Sequence, residues 1–411
     1  MLKDLPGISK KKSLNKALLN KEVQDFILKN RSSNLSKLIL KGSPFKDVSI
    51  QELAVQIAGL NKSKSKLPIW NLTKNILFPA NINLEQTSSE KTAKYKASLV
   101  EGKRLIDLTG GFGIDAYFFA EKFNEVIHCE LNMELSELAE HNFRVLKAPN
   151  VKTNQGDGIE YLKNSEKHFD WIYLDPSRRN DSGGRVFQLS DCTPNPAEYM
   201  DLFFEKADHI LIKTSPLLDL KAGINELKYV SEIHIVAVNQ EVKELLWILN
   251  KNSSEKIKVK TIHLQKTITQ NFETNFSDSQ SDISLSLPLN YLYEPNPAIM
   301  KSGMFGELAR QTDSDVLHSN SHLFTSKELK IFPGRRFEIL DVLPYHKKHL
   351  KQRLTLKKAN ITTRNFPKTA TEIRKELKIE DGGDCYLFFT TNLNDKKIVV
   401  VCKKISYLKG F

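Results

Sequence analysis

The spacing of apolar residues differs between the N-terminal part of the chain and its middle. Up to residue 70 they recur every three or four positions, which predicts amphipathic helices around residues 18–27 and 50–60. Ser49 precedes the second helix and Glu52 follows three residues later, so the pair matches a capping box. The polar run NKSKSK at 61–66 is expected to form a loop.

From residue 103 onward, short apolar runs alternate with segments of helical spacing. Continuous apolar runs are typical of strands in a buried parallel sheet, and the helices between them provide the crossovers. The predicted strands are RLIDLTGG, VIHCELN, WIYLDPS, HILIKTSP and EIHIVAVN. A further helix is predicted for EVKELLWIL at 241–249. This order predicts a doubly wound, Rossmann-like α/β sheet.

After the predicted strand KIKVKTIHL, the pattern changes again. A Ser-, Asp- and Gln-rich tract at 271–290 predicts a hairpin loop or a domain boundary. Beyond residue 330 the strands RFEILDVLP, CYLFFTTN and KIVVVCK and the helix TATEIRKELK predict a small α+β region. We therefore divide the chain into an N-terminal helical region (1–70), a Rossmann-like domain (71–285), a small domain or linker (286–330) and a basic α+β domain (331–411).

Charge is distributed unevenly along the 411 residues, whose formal net charge is +12. Residues 1–100 carry a net +11 and residues 331–411 a net +10, which leaves −9 for the middle. Clustered lysine and arginine attract nucleic acid through counterion release, although solvated surface lysines give the same composition. The charge is therefore compatible with a nucleic-acid partner but does not identify it.

Composition argues against a membrane protein and a metalloprotein. No segment approaches the roughly 20 apolar residues of a membrane helix, and no secretory signal is recognisable, so we expect a soluble, cytoplasmic protein. The cysteines form no CxxC pair and the histidines no HExxH motif, so no metal site is expected. The sequence does not indicate an oligomeric state.

The strongest motif is LIDLTGGFGID at 105–115, a glycine-rich turn between a predicted strand and a predicted helix. Such a turn lets the backbone approach a ligand and points a helix N-terminus towards it. Gly111, Gly113 and Ala116 also satisfy the GxGxxA fingerprint of dinucleotide-binding proteins, and Glu130 suits a ribose in either cofactor. The turn alone is therefore compatible with both a methyltransferase and a dehydrogenase.

Three acidic residues, the first of them just before this turn, favour a methyltransferase. Asp107 would orient the cationic amino-acid end of S-adenosylmethionine but would repel a pyrophosphate. Asp157, in NQGDG, is placed to accept a hydrogen bond from an adenine amino group. Asp175 begins DPSRR at the sheet edge where α/β proteins bind ligands.

Together these motifs resemble the class I S-adenosylmethionine-dependent methyltransferases, and more narrowly the bacterial branch with a THUMP-like C-terminal domain. LEQTSSEKTAKYKA, YEPNPAIMKSG, FPGRRF and ITTRNFP extend the resemblance over roughly residues 70–405. It implies a ferredoxin-like domain at 286–330, a THUMP-like domain at 331–411 and, by analogy, an RNA substrate. The predicted cofactor-binding residues are Asp107, Thr109, Gly110, Gly111, Gly113, Glu130, Asp157 and Asp175.

The DPSRR segment predicts how the methyl group is transferred. Ser177 and Arg178 replace the second proline and the base-stacking aromatic of amine-methylating loops. The D-P-x-R form is similar to RNA pyrimidine C5-methyltransferases, but the sequence KTSP at 213–216 lacks their cysteine nucleophile. We therefore predict direct transfer to a nitrogen or oxygen, with Asp175, Arg178 and Lys213 as catalytic residues.

Five arginines are predicted to bind the substrate. Arg178 and Arg179 could hold a phosphate or a base, or could pair with local carboxylates. The other three are expected on loops of the C-terminal region as phosphate contacts: Arg335, Arg336 and Arg364.

The alternatives to an RNA methyltransferase belong to other classes. A nucleic-acid-binding protein could keep a cofactor pocket without turnover. A small-molecule or protein methyltransferase would use its basic flanks only structurally, and its substrate affinity would depend weakly on salt. A dehydrogenase would bind a nicotinamide cofactor.

Overall fold

The computed structural model describes residues 14–178, 188–252, 256–277 and 283–406. The chain divides into two compact units. The first comprises Met1–Ser231 with Leu246–Ser253, and the second comprises Glu232–Leu245 with Ser254–Phe411. Within the described ranges, no helix is long and apolar enough to cross a membrane.

Helices form the N-terminal part of the first unit. They are α1 (Lys21–Lys29), α2 (Leu35–Lys41), α3 (Ile50–Lys66), α4 (Pro68–Leu72), α5 (Asn81–Gln86) and α6 (Glu90–Ala97). Ser49 and Glu52 form the predicted capping box at the start of α3. The predicted loop at 61–66 is wrong, because α3 continues through it. Ser63 is fully buried and its hydroxyl donates to the Leu60 carbonyl, so tertiary packing keeps this polar run helical.

In the described part of the first unit, five parallel strands follow the order β3-β2-β1-β4-β7. These five strands are β1 (Gly102–Asp107), β2 (Phe123–Glu130), β3 (Val151–Gln155), β4 (Phe169–Leu174) and β7 (Ala207–Thr214). Two short strands between β4 and β7, β5 (Ser177–Arg178) and β6 (Cys192–Thr193), form a separate antiparallel pair. The chain order reverses between β1 and β4, where doubly wound sheets bind ligands. The predicted Rossmann-like fold is confirmed.

In the described ranges, the helices that accompany these strands are α7 (Ile114–Phe119), α8 (Met133–Val145), α9 (Gly158–Asn164), α10 (Met200–Lys206) and α11 (Leu220–Glu226). The strands are apolar because helices cover them, and β4 is buried at every position except Asp170. Since the strands are parallel, their carboxyl ends lie at one edge of the sheet.

The predicted helix at 241–249 is wrong. This segment forms β9 (Glu241–Asn250), which follows β8 (Val230–Val238) after a short turn. Asn239 in the turn has a left-handed φ of 56°, which asparagine tolerates better than most residues. Apolar residues at 242, 245, 246 and 249 imitate helical spacing, but residues 244–247 are buried consecutively, as in a strand covered on both faces.

The described residues of the second unit form two sets of strands. In the first set β8 runs parallel to β10 (Lys258–Leu264), which pairs antiparallel with β11 (Thr269–Asn275). The tract at 271–290 thus begins inside a strand, and residues 278–282 lie outside the described ranges.

The second set is a sheet with the order β13-β14-β12-β15-β18-β17-β16. Its strands are β12 (Tyr291–Pro295), β13 (Asp315–Val316), β14 (Phe324–Ser326), β15 (Gly334–Pro344), β16 (Asn360–Arg364), β17 (Cys385–Thr391) and β18 (Lys397–Ile405). The helices of this unit are α12 (Pro297–Ser302), α13 (Phe305–Thr312), α14 (Lys347–Arg353) and α15 (Ala370–Leu377). The small α+β C-terminal architecture is therefore as predicted.

Candidate functional site

The turn between β1 and α7 (residues 108–113, the glycine loop) needs residues without side chains. Gly111 and Gly113 have left-handed φ values of 55° and 83°, a conformation that favours glycine. A Cβ on Gly110 would collide with the His128 ring. The glycine loop therefore lies directly against the sheet, and its backbone can approach a ligand.

The Glu130 carboxylate at the end of β2 holds the glycine loop. One oxygen accepts a hydrogen bond from Gly111 N at 2.8 Å, and the other accepts one from Asn132 N at 2.7 Å. These bonds orient the carboxylate, and each oxygen keeps a lone pair for a further donor. The predicted cofactor residues Gly111 and Glu130 are thus in direct contact.

Asp107 and Asp175 are linked through Thr109. Asp107 Oδ1 accepts a hydrogen bond from Thr109 N at 2.9 Å, and Thr109 Oγ1 accepts one from Asp175 N at 2.6 Å. The Asp107 side chain is 1% exposed, and this burial raises the pKa of its carboxyl well above the ordinary value. A cation beside Asp107 would offset that cost.

The carboxylate of Asp175 forms an ion pair with Lys213. Lys213 lies on β7, and its ammonium is 2.5 Å from Asp175 Oδ2. The Asp175 and Lys213 side chains are 31% and 16% exposed, so the pair is partly open to solvent. The structure thus brings together two of the three predicted catalytic residues.

Two arginines of the DPSRR segment, Arg178 and Arg179, are also predicted site residues. Arg178 lies on β5. Arg179 lies outside the described residues. The catalytic role of Arg178 and the substrate-binding roles of both arginines stay predictions.

The Asp157 side chain caps the N-terminus of α9. Its Oδ1 accepts hydrogen bonds from Ile159 N at 2.7 Å and Glu160 N at 3.3 Å at the start of α9. The residue also lines a cleft of about 450 Å³ together with Gln155 and Tyr161. The cap fixes the orientation of the carboxylate in the lining of this cleft, so the predicted contact with adenine would use its other oxygen.

A buried network behind the site was not foreseen from the sequence. Lys96 on α6 is fully buried, and its ammonium lies 2.7 Å from Ser88 Oγ and 3.1 Å from Asp115 Oδ1. Asp115 Oδ2 accepts hydrogen bonds from Ser88 Oγ and Tyr173 OH, each at 2.8 Å. The network ties α6 to the first turn of α7 and to β4, two residues before Asp175. The one local signal is that Lys96 occupies the same helical face as buried Ala93.

His128 on β2 is fully buried beneath the glycine loop. Neither ring nitrogen has a hydrogen-bond partner among the described residues. The ring packs edge-on against Phe143, with the ring centroids 5.3 Å apart. Burial lowers the pKa of His128 to about 4. The imidazole is therefore neutral at physiological pH.

We expect His128 to make the first unit sensitive to acid. The unfolded chain takes up this proton near pH 6.5, whereas the folded chain takes it up only near pH 4, so stability falls as the pH decreases between these values. Between pH 6.5 and pH 4, the free energy of unfolding of the parent should therefore fall by about 3 kcal/mol more than that of His128→Leu. All three tryptophans (Trp70, Trp171 and Trp247) belong to the first unit, so their fluorescence during urea unfolding measures it.

The matched control is His168→Leu, which removes an exposed histidine immediately before β4. This variant should keep the pH dependence of the parent. Identical pH profiles for the parent and His128→Leu would contradict the assignment.

The thiols and histidines do not form a metal-binding cluster in the part of the chain that the structure describes. Cys129, Cys192 and Cys402 are buried. Burial raises the pKa of the Cys129 thiol to about 12, which makes it a poor nucleophile.

The expectation that the C-terminal arginines lie on loops is wrong. Arg335 and Arg336 belong to β15, and Arg364 ends β16. Arg335 and Arg364 both form ion pairs with Glu294 on β12, a carboxylate that is only 5% exposed. A buried carboxylate requires such partners, and these pairs form between segments that are distant in sequence. The predicted phosphate contact of these arginines is untested.

Comparisons with known proteins identify the family. A family model for a ferredoxin-like domain matches residues 291–333, and one described as THUMP domain-like matches residues 334–404. A protein of Porphyromonas gingivalis W83, to which methyltransferase activity is ascribed, is 31% identical; its crystal structure matches with a TM-score of 0.85, covering 96% of this chain and 100% of that one. The chain belongs to this methyltransferase family with a THUMP-like domain.

A second relative of this THUMP-like methyltransferase is an uncharacterised RNA methyltransferase of Mycoplasma mobile. It is 28% identical over 137 residues, which amount to 32% of this chain and 37% of that protein. The family assignment confirms the resemblance drawn from the sequence motifs.

Proposed function

We propose that this THUMP-like methyltransferase transfers a methyl group from S-adenosylmethionine directly to a nitrogen or oxygen of RNA. The observation that carries the proposal is a cluster of polar residues at the carboxyl edge of four adjacent parallel strands, namely Asp107, Glu130, Asp175 and Lys213. Ligands of doubly wound sheets bind at this edge.

The residues of the site fit S-adenosylmethionine, whose sulfonium supplies an electrophilic methyl group when it is bound. Buried Asp107 suits the cationic amino group, because a bound cation would stabilise the carboxylate form that burial disfavours when it raises the pKa of this residue. Glu130 has lone pairs left for two ribose hydroxyls after it accepts its backbone hydrogen bonds. A pyrophosphate next to the Asp107 carboxylate would be repelled, which disfavours a dinucleotide.

Asp175 is proposed to accept the hydrogen bond or the proton of the substrate nucleophile. Its backbone is anchored on Thr109 and its side chain on Lys213, so the second carboxylate oxygen is oriented in advance. Positioning and proton acceptance suffice for an N–H or O–H nucleophile that is already electron-rich. Lys213 would also offer a positive charge to a nearby phosphate.

A covalent cysteine mechanism is disfavoured by the residues at the site. After β7 the chain continues with Ser215 and Pro216, and no cysteine stands at that strand end. Cys192 on β6 is fully buried and points its thiol to the Gln188 carbonyl, with the donor and acceptor 3.9 Å apart. Direct methyl transfer to a nitrogen or oxygen does not require a cysteine thiol.

RNA as the substrate is supported by two observations. The Mycoplasma mobile relative is named as an RNA methyltransferase. Residues 331–411 carry a net charge of +10, which favours a polyanionic partner. A small-molecule or protein substrate would leave that charge without a role.

The proposal is tested by calorimetry and by transfer of a radiolabelled methyl group. The parent should bind S-adenosylmethionine and S-adenosylhomocysteine but not NAD, and should label total RNA from cells that lack the protein. Asp107→Asn should weaken S-adenosylmethionine binding about 10- to 100-fold, because it removes one charge-assisted contact. Asp208→Asn, which alters an exposed carboxylate at the opposite edge of the sheet, should bind normally.

The possible outcomes of these experiments distinguish the candidate functions from one another. Binding without label in RNA would leave a cofactor-binding protein or a methyltransferase for another substrate. Binding of NAD alone would indicate a dehydrogenase. Unchanged affinity in Asp107→Asn would remove this residue from the cofactor site.

A further inference from the structure

The segment 346–358 of the second unit concentrates positive charge. It contains five lysines, one arginine and two histidines, and no acidic residue. Helix α14 lies within it, and Leu350 is the one residue of this helix that is buried. The cationic side chains of the segment are all exposed.

The lysines of α14 lie on one side of the helix. Successive residues are about 100° apart around a helix axis, so Lys347, Lys351 and Lys348 together span about 100° of the circumference. This side does not include Leu350, which packs into the core of the domain. Lys357 follows the helix and is also exposed.

Most of these lysines lack an intramolecular counterion. Lys358 pairs with Glu380 at 3.4 Å, and Arg353 pairs with Asp341 at 3.1 Å. Lys348, Lys351 and Lys357 have no carboxylate within 4.0 Å among the residues that the structure describes. Their charge is therefore available to an external anion.

The arginines predicted from the sequence differ in this respect. Arg335 and Arg364 share the buried carboxylate of Glu294, which partly neutralises them. Withdrawing either arginine from Glu294 to bind a phosphate would leave the buried carboxylate with only one of these two cationic partners, which opposes the withdrawal. The unpaired lysines incur no such cost.

We infer that Lys347, Lys348, Lys351 and Lys357, here called the α14 lysine surface, bind the phosphate backbone of the RNA substrate. The inference rests on the proposed function. Unpaired exposed lysines release condensed counterions when they approach phosphates, which is the main source of nonspecific affinity for nucleic acid. Segment 346–358 contains no exposed large apolar side chain, whereas a membrane-binding helix would present such residues to the lipid.

The test compares two triple variants of the full chain. Lys348→Ala/Lys351→Ala/Lys357→Ala removes charge from the α14 lysine surface. The matched control removes the same charge from exposed lysines elsewhere in the unit: Lys327→Ala/Lys403→Ala/Lys404→Ala. Binding to fluorescently labelled bulk transfer RNA and to fragmented ribosomal RNA is measured over a range of salt concentrations.

The α14 variant should bind RNA roughly 10- to 100-fold more weakly near 0.1 M salt, and the slope of log K against log salt should decrease in magnitude by about 2, for three lost phosphate contacts. Its S-adenosylmethionine affinity and its thermal unfolding midpoint should match those of the parent. The control should lose less affinity and less slope.

Equal losses in the two variants, or no loss in the α14 variant, would overturn the assignment of this surface. If the parent and the α14 variant bound RNA equally, but only the parent bound polyglutamate or phosphatidylcholine vesicles containing phosphatidylserine, the surface would be assigned to an acidic protein or to lipid instead. The proposed function fails separately, if the parent transfers no label to RNA.

Discussion

Asp175→Asn is expected to lower kcat for methyl transfer by about 10²- to 10⁴-fold, which is the range for a lost general acid–base group. The substitution keeps the shape of the side chain and the backbone hydrogen bond to Thr109, but it removes the carboxylate that would accept the proton. Cofactor binding should remain largely intact. The measurement is single-turnover transfer of labelled methyl at saturating S-adenosylmethionine, with calorimetry on the same preparation.

Asp201→Asn is a matched control, because Asp201 also pairs with a lysine, Lys228, but its side chain is 94% exposed. This variant should have the kcat of the parent. Asp175→Asn/Lys213→Met tests whether the effect arises only from an unpaired Lys213. Recovery of kcat in this double variant would show that Asp175 serves Lys213 and not the substrate.

Lys96→Met is expected to destabilise the first unit by about 3–5 kcal/mol, since it leaves the carboxylate of Asp115 largely buried without its cation. Tryptophan fluorescence during urea unfolding measures the loss. S-adenosylmethionine affinity should also fall in the fraction that remains folded, because Asp115 lies in the first turn of α7, directly after the glycine loop.

Two variants separate the buried charge from other consequences of the substitution. Lys94→Met changes an exposed lysine on the same helix, and its free energy of unfolding should change by less than about 1 kcal/mol. Lys96→Met/Asp115→Asn removes both charges but retains an acceptor for Ser88 and Tyr173, so much of the lost stability should return. A double variant as unstable as Lys96→Met would indicate that packing, and not charge, causes the effect.

Local signals explain which parts of the structure were predictable. The glycine loop was predicted because strand, turn and helix follow each other within residues 105–115, and the turn demands residues without side chains. The capping box of Ser49 and Glu52 involves residues three positions apart. Asp107, Glu130 and Asp175 were predictable as neighbours because the ends of parallel strands meet at one edge of a sheet.

Two of the wrong predictions, the loop at 61–66 and the helix at 241–249, share one physical cause. At 241–249, apolar residues with helical spacing form a strand. Both faces of β9 are covered, so its apolar residues do not alternate with polar ones and the pattern does not distinguish a strand from a helix. At 61–66, a run of lysine and serine continues a helix because Ser63 packs inside the protein. Burial by distant segments overrode the local pattern in both cases.

The sequence by itself determined the class of the fold, the glycine loop and the acidic residues at the strand ends, because each depends on residues close together in the chain or on the regular geometry of parallel strands. Only the tertiary structure decided which charges are paired. Lys96 with Asp115, and Arg335 and Arg364 with Glu294, meet across 19, 41 and 70 positions of sequence. Such pairs depend on which surfaces are removed from water, and burial is a property of the folded chain.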